Sequence, residues 1–139
     1  MVSFISHLSI DAHDAYAQSR WWQQVLDYVE DPADPNEPGH EECAISKPDG
    51  TGVILFIEVP EAKELKNRLH LDLRPSDRFQ EAEVQRLLAL GAATVADHRG
   101  IYGPGSGWVT LADPEGNEFC VLLSRQERAR WNAERAGDG

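Results

Sequence analysis

The chain has 139 residues, 41% of them hydrophobic, with 24 acidic against 13 basic and a formal net charge of −11. That length and apolar content suit one globular domain with its own core and exclude a disordered chain. The acidic balance argues against a nucleic-acid or anionic-membrane surface, and no apolar run approaches the roughly 20 residues that span a bilayer.

In chain order, residues 3–10 predict a strand in which Phe4, Leu8 and Ile10 share one face and His7 and Ser9 take the other. The chain enters this strand with no basic and apolar leader before it. Residues 13–27 predict a helix, capped by Asp14 and carrying Tyr16, Trp21, Trp22, Val25 and Leu26. Trp21 and Trp22 are neighbours on that helix, so one is expected in the core and the other at a rim or interface. Asp31-Pro-Ala-Asp-Pro-Asn-Glu-Pro-Gly39 predicts a loop. A short strand at 41–46, a turn at Lys47-Pro-Asp-Gly50 and a strong strand at 53–59 follow.

Asn67-Arg-Leu-His-Leu-Asp-Leu-Arg74 alternates cleanly. Leu69, Leu71 and Leu73 point one way; His70, Asp72 and Arg74 point the other. Helix 77–90 ends at Gly91, a short strand covers 93–97, and 98–107 is glycine-rich. That loop opens no helix and so does not match a phosphate-binding fingerprint; with Tyr102 it suits a lid beside a pocket. Trp108–Ala112 predicts a strand, Asp113-Pro-Glu-Gly116 a turn and 118–123 the last strand. The charged tail 125–139 predicts a short surface helix, with Trp131 docked on the body or a partner.

Cys43 and Cys120 form no CxxC pair and read as reduced thiols of a cytoplasmic protein. No Gly-x-Ser-x-Gly or defensible Cys–His order supports a hydrolase. His7 and His70 each sit on the polar face of the first strand of a half, which points to a shared pocket. Two histidines with one or two carboxylates hold a divalent cation such as Zn, Ni, Co, Mn or Fe(II) with positions left for substrate. Such a cation stabilises a developing enolate on adjacent substrate oxygens, with a glutamate, Glu118 or Glu58, to move the proton. Asp72 is placed to orient an imidazole.

The order strand, helix, strands, used twice with His7 and His70 opening the halves, resembles the vicinal oxygen chelate superfamily. Its members include glyoxalase I, extradiol dioxygenases and bleomycin-resistance proteins; the nearest likeness is to small glyoxalase-like domain proteins. The segments that carry it are Lys66-Asn-Arg-Leu-His-Leu-Asp-Leu73, Glu83-Val-Gln-Arg-Leu-Leu-Ala-Leu-Gly-Ala92 and Trp108-Val-Thr-Leu-Ala-Asp-Pro-Glu-Gly-Asn-Glu-Phe-Cys-Val-Leu122. The resemblance implies an α+β fold of two βαβββ modules, about 3–59 and 69–123, within one domain over 1–124. A cupped sheet with helices outside, and a homodimer, go with it.

The resemblance also implies a metal site with His7, Glu58 and His70 as ligands and Glu118 as fourth ligand or catalytic base. Phe56, Asp72, Tyr102, Trp108 and Cys120 would line the small-molecule pocket. The chain departs from the pattern at one place. Four residues beyond Gly116, where relatives carry a ligand glutamate, stands Cys120, with Glu118 one pleat earlier. The implied activity is a metal-dependent lyase or isomerase step on a small substrate with adjacent oxygens. The rival is metal-free sequestration of a small molecule, as in bleomycin-resistance proteins, and a third option is an Fe(II) dioxygenase.

Overall fold

In the computed structural model, residues 2–137 are described, and they divide at Lys63 and Glu64 into two compact units. The first holds β1 (Leu8–Ala12), α1 (Ala15–Leu26), β2 (Glu42–Ile45) and β3 (Ile54–Glu58). The second holds β4 (Leu71–Leu73), α2 (Gln80–Ala89), β5 (Ala93–Asp97), β6 (Val109–Ala112), β7 (Glu118–Val121) and α3 (Arg125–Gly137). This is an α+β chain with two mixed sheets.

In the first unit the sheet order is β1-β3-β2, with β1 parallel and β2 antiparallel to β3. The loop before β2 makes a single bridge, Val29 with Ser46, where the second unit has a full strand. Asp14 caps α1 as expected, its Oδ1 accepting from the Ala17 N–H at 3.0 Å. Cys43, Ile45, Ile54 and Phe56 share the sheet face that α1 covers: Cys43 pairs with Phe56, and its thiol meets Ser19 of the helix. Each large apolar side chain buried there contributes about 1.5–3 kcal/mol.

Two expectations for this unit change. Trp21 and Trp22 are both buried, at 7% and 2% exposure, edge to face with centroids 5.2 Å apart. The helix offers a broad inner arc, Gln18 to Val25, that accommodates neighbours about 100° apart. The first strand starts at Leu8, opposite Ile54, the first residue of β3. Phe4, expected on a buried face, is 88% exposed.

In the second unit the order is β4-β7-β6-β5, with β4 parallel to β7 and the other pairs antiparallel. Val109, Leu111, Phe119 and Val121 form the buried face, with Val84 and Leu87 of α2 also in the core. Gln80, itself buried, donates through Nε2 to the carbonyls of Gly107 and Val121, both at 3.1 Å. Leu69, expected with Leu71 and Leu73, is 83% exposed, since β4 pairs only from Leu71 onward. The Asp113-Pro-Glu-Gly turn is structural. Buried Asp113 accepts the Glu115 and Asn117 N–H groups at 2.9 Å on one carboxylate oxygen.

The tail forms α3 through an unpredicted capping box. Ser124 Oγ accepts the Glu127 N–H and Glu127 Oε1 accepts the Ser124 N–H. The same Glu127 oxygen accepts the Gln80 N–H at 2.8 Å, which ties α3 to the start of α2. Trp131 lies over Gly103, where an added Cβ would meet the indole at 3.7 Å. Asp138 and Gly139, the end of the expected tail, lie outside the described residues. Among the described residues no helix is long and apolar enough to cross a membrane.

Candidate metal centre and pocket

The register of the second sheet arranges its polar face as a lattice. Asp72 lies opposite Cys120 in the parallel ladder, and Cys120 lies opposite Thr110 in the antiparallel one. One row toward the start of β7, His70 and Glu118 occupy the same face; one row the other way stand Leu122, Trp108 and His98. Together with Lys66 these side chains line a cavity of about 440 Å³, within the range of small-molecule sites.

The donor groups are close. His70, Asp72 and Cys120 each offer a ligand atom, all within 4.8 Å of one another. His70 Nδ1 donates to Asp72 Oδ1 at 3.1 Å, as an imidazole is oriented by a carboxylate. Thr110 Oγ1 and Cys120 Sγ are hydrogen-bonded at 3.5 Å. Burial pushes the Cys120 thiol above its ordinary range; Thr110 opposes that shift and the Asp72 carboxylate adds to it. A protonated thiol beside a carboxylate is a site in waiting, since binding a cation releases that proton.

Glu118 has a different partner. Its Oε2 accepts from Lys66 Nζ at 2.6 Å, and its backbone carbonyl accepts from Asn67 Nδ2 at 3.1 Å. Tyr102 is 70% exposed, with its ring 6.5 Å from that of Trp108.

In the first unit, Ser9 pairs with Leu55 and Asp11 with Ile57, while Leu8, Ile10 and Ala12 pair with Ile54, Phe56 and Glu58. His7 immediately precedes β1 and has the parity of Ser9 and Asp11. Glu58 has the parity of Phe56, which is fully buried against α1 rather than open to a pocket. The structure therefore puts the parities of His7 and Glu58 on opposite faces of their sheet. Counting both units from their histidines, Leu55 stands where the second unit has Cys120.

Sequence reasoning passed over His98, Lys66 and Thr110. For Thr110 the signal was present, since period-two alternation from Trp108 puts it on the polar face. For His98 it was not. An extra residue, Val95, bulges between Thr94 and Ala96, so that Ala96 pairs with Thr110 and His98 continues on the cavity face.

A sequence model of the family described as Glyoxalase-like domain matches residues 7–122. The chain belongs to that family, and with it to the vicinal oxygen chelate superfamily. The fosfomycin resistance protein FosX of Listeria monocytogenes, a mutant of which was crystallised with Mn(II) and 1S,2S-dihydroxypropylphosphonic acid, superposes with a TM-score of 0.67. It is 16% identical, over 92% of this chain and 96% of that one. FosX of Mesorhizobium loti gives a TM-score of 0.65 at 16% identity, over 94% and 99%. A glyoxalase/bleomycin resistance protein/dioxygenase family enzyme of Burkholderia phytofirmans gives 0.59 at 22%, over 84% and 94%. These likenesses show the fold. No curated protein matches the chain.

Proposed function

We propose that the second-unit cavity holds a divalent cation and that the protein carries out a lyase or isomerase step on a small substrate with adjacent oxygens. The observation that carries this reading is the convergence of His70, Asp72 and Cys120 in one pocket. The donor set fits a cation: one imidazole, one carboxylate and one thiol whose proton is lost on binding. A thiolate among the ligands favours Zn, Co, Ni or Fe(II) over Mn.

When bound, the cation supplies Lewis-acid polarisation of substrate oxygens. The protein's own groups do the rest. His70 and Cys120 hold the ion, and Asp72 is a third ligand or fixes the His70 tautomer. Thr110 offers a hydroxyl to a substrate oxygen. Lys66 presents positive charge at the cavity, and an anionic substrate that takes over its ammonium leaves Glu118 as the group to accept a proton. FosX supports the reading as a relative in fold that was crystallised with Mn(II) and a small diol. His7 and Glu58 lie in the first unit, with opposite parities in its sheet, so the reading rests on the second unit's residues.

A second reading, metal-free binding of a small molecule, is favoured by one observation: Cys120, at the position where the resemblance implies a ligand glutamate, is already hydrogen-bonded to Thr110. The experiment that separates the two is elemental analysis of untagged protein after dialysis with Zn, Ni, Co, Mn and anaerobic Fe(II). About one metal per chain, lost in His70→Ala and Cys120→Ser, is expected; the same measurement on His7→Ala reads the first unit's contribution. No retained metal under any condition sinks the metalloenzyme and leaves the binding protein.

A further inference from the structure

We infer that Trp108, backed by His98, selects the ligand of this cavity. The inference deepens the proposed function by naming a substrate class: a planar, π-conjugated ring carrying oxygen substituents, preferred over a saturated ring of the same size and charge.

Position comes first. Trp108 shares the cavity face with Thr110, two residues further along the same strand direction, and with Leu122 across the ladder. The cavity thus has an apolar, aromatic row and, about 7 Å away along the strands, a polar row of Asp72, Cys120 and Thr110. A ligand that fills both rows needs a flat apolar body and oxygens at one end.

The aromatic row is also held rigid. His98 lies with its ring centroid 4.8 Å from that of Trp108, tilted by 34°. The His98 N–H donates to the Trp108 carbonyl at 2.8 Å, which locks the two backbones together. The loop between them closes only because residue 107 is glycine: its φ is +92°, and a Cβ there would sit 2.0 Å from the His98 carbonyl oxygen. Val95 supplies the bulge that brings His98 to this face. Four features thus fix one half-buried indole at the cavity wall. Prepositioned aromatic surface gains affinity for a flat ring at little ordering cost.

The test is calorimetric binding to the full chain, with and without Zn, of benzoate and salicylate against cyclohexanecarboxylate and 2-hydroxycyclohexanecarboxylate. The aromatic member of each pair is expected to bind about three- to tenfold more tightly. Trp108→Phe keeps most of that preference and Trp108→Leu abolishes it. His70→Ala weakens all four probes alike and leaves the ratio unchanged. Equal affinities within the pairs, no binding of either aromatic member, or a ratio that survives Trp108→Leu overturns the inference. If Trp108→Leu fails to fold, the indole N–H resonance of Trp108 in the native protein decides: an upfield ring-current shift with salicylate supports stacking, and its absence overturns it. Failure of the metal reading is distinguishable. A chain that takes up no metal yet prefers the aromatic probes loses the metal and keeps the stacking surface; one metal per chain with no preference gives the reverse.

Discussion

Cys120 lies directly opposite Asp72 in the parallel β4–β7 ladder, with its thiol inside the 4.8 Å cluster that His70 completes. A glutamate at this position would put a second carboxylate against Asp72. The thiol avoids that repulsion and gives the site a softer donor set.

Cys120→Ser keeps the hydrogen bond to Thr110 but removes the soft ligand. Zn affinity is expected to fall at least about tenfold while Mn affinity changes little. Competition with a chromogenic chelator reads both. An unchanged Zn affinity removes Cys120 from the ligand set.

Deleting Val95 removes the bulge and leaves Thr94, Ala96 and Asp97 opposite their native partners, so His98 keeps its place beside Trp108. Nuclear Overhauser contacts between the His98 and Trp108 rings are expected in the native protein and in the deletion variant alike. Their loss in the variant would mean that the bulge itself, not the ladder register, positions the imidazole.

Gly107→Ala pushes a Cβ into the His98 backbone, whereas at Gly105, with φ +84°, nothing lies within 4 Å. Gly107→Ala is expected to cost about 2–4 kcal/mol through strain and overpacking. Gly105→Ala is expected to cost about 1–2 kcal/mol, the penalty of the left-handed backbone alone. Urea unfolding of the two variants measures the difference, which comes from the close approach and not from φ.

Arg99 hydrogen-bonds Asp97 and holds its carboxyl at about 2, below its ordinary value; Arg99 also reaches Glu81. The folded value lies below the unfolded one, so the stabilisation is complete above about pH 4 and is lost as pH falls through about 2. Both partners are partly exposed, so the contribution is a few tenths to about 1 kcal/mol. Asp97→Asn should lower stability by that amount at pH 6, and the gap should close toward pH 2 in urea melts.

The sequence alone determined the order of elements. The β-branched and aromatic run of 53–59, the short strand at 93–97, the Asp14 cap, the Gly91 stop and the two Pro-acid-Gly turns are local signals. Each depends on nearest neighbours and a dihedral preference that the residue carries with it. Alternation in Leu69–Arg74 likewise put His70 and Asp72 on one face, since period two requires no partner to be known.

Only the tertiary structure decided which faces meet. The parallel ladder sets Asp72 against Cys120 and, in the first unit, gives Glu58 the buried parity of Phe56, because register depends on a strand some fifty residues away in sequence. The bulge at Val95 carries no composition of its own, yet it reverses the parity of His98 and so completes the aromatic wall. The capping box at Ser124 and Glu127 could be read locally, but its second task, holding the Gln80 N–H, could not. Local preference builds the strands; long-range hydrogen-bond register, which is cooperative and tolerates no one-residue slip, determines what each side chain faces.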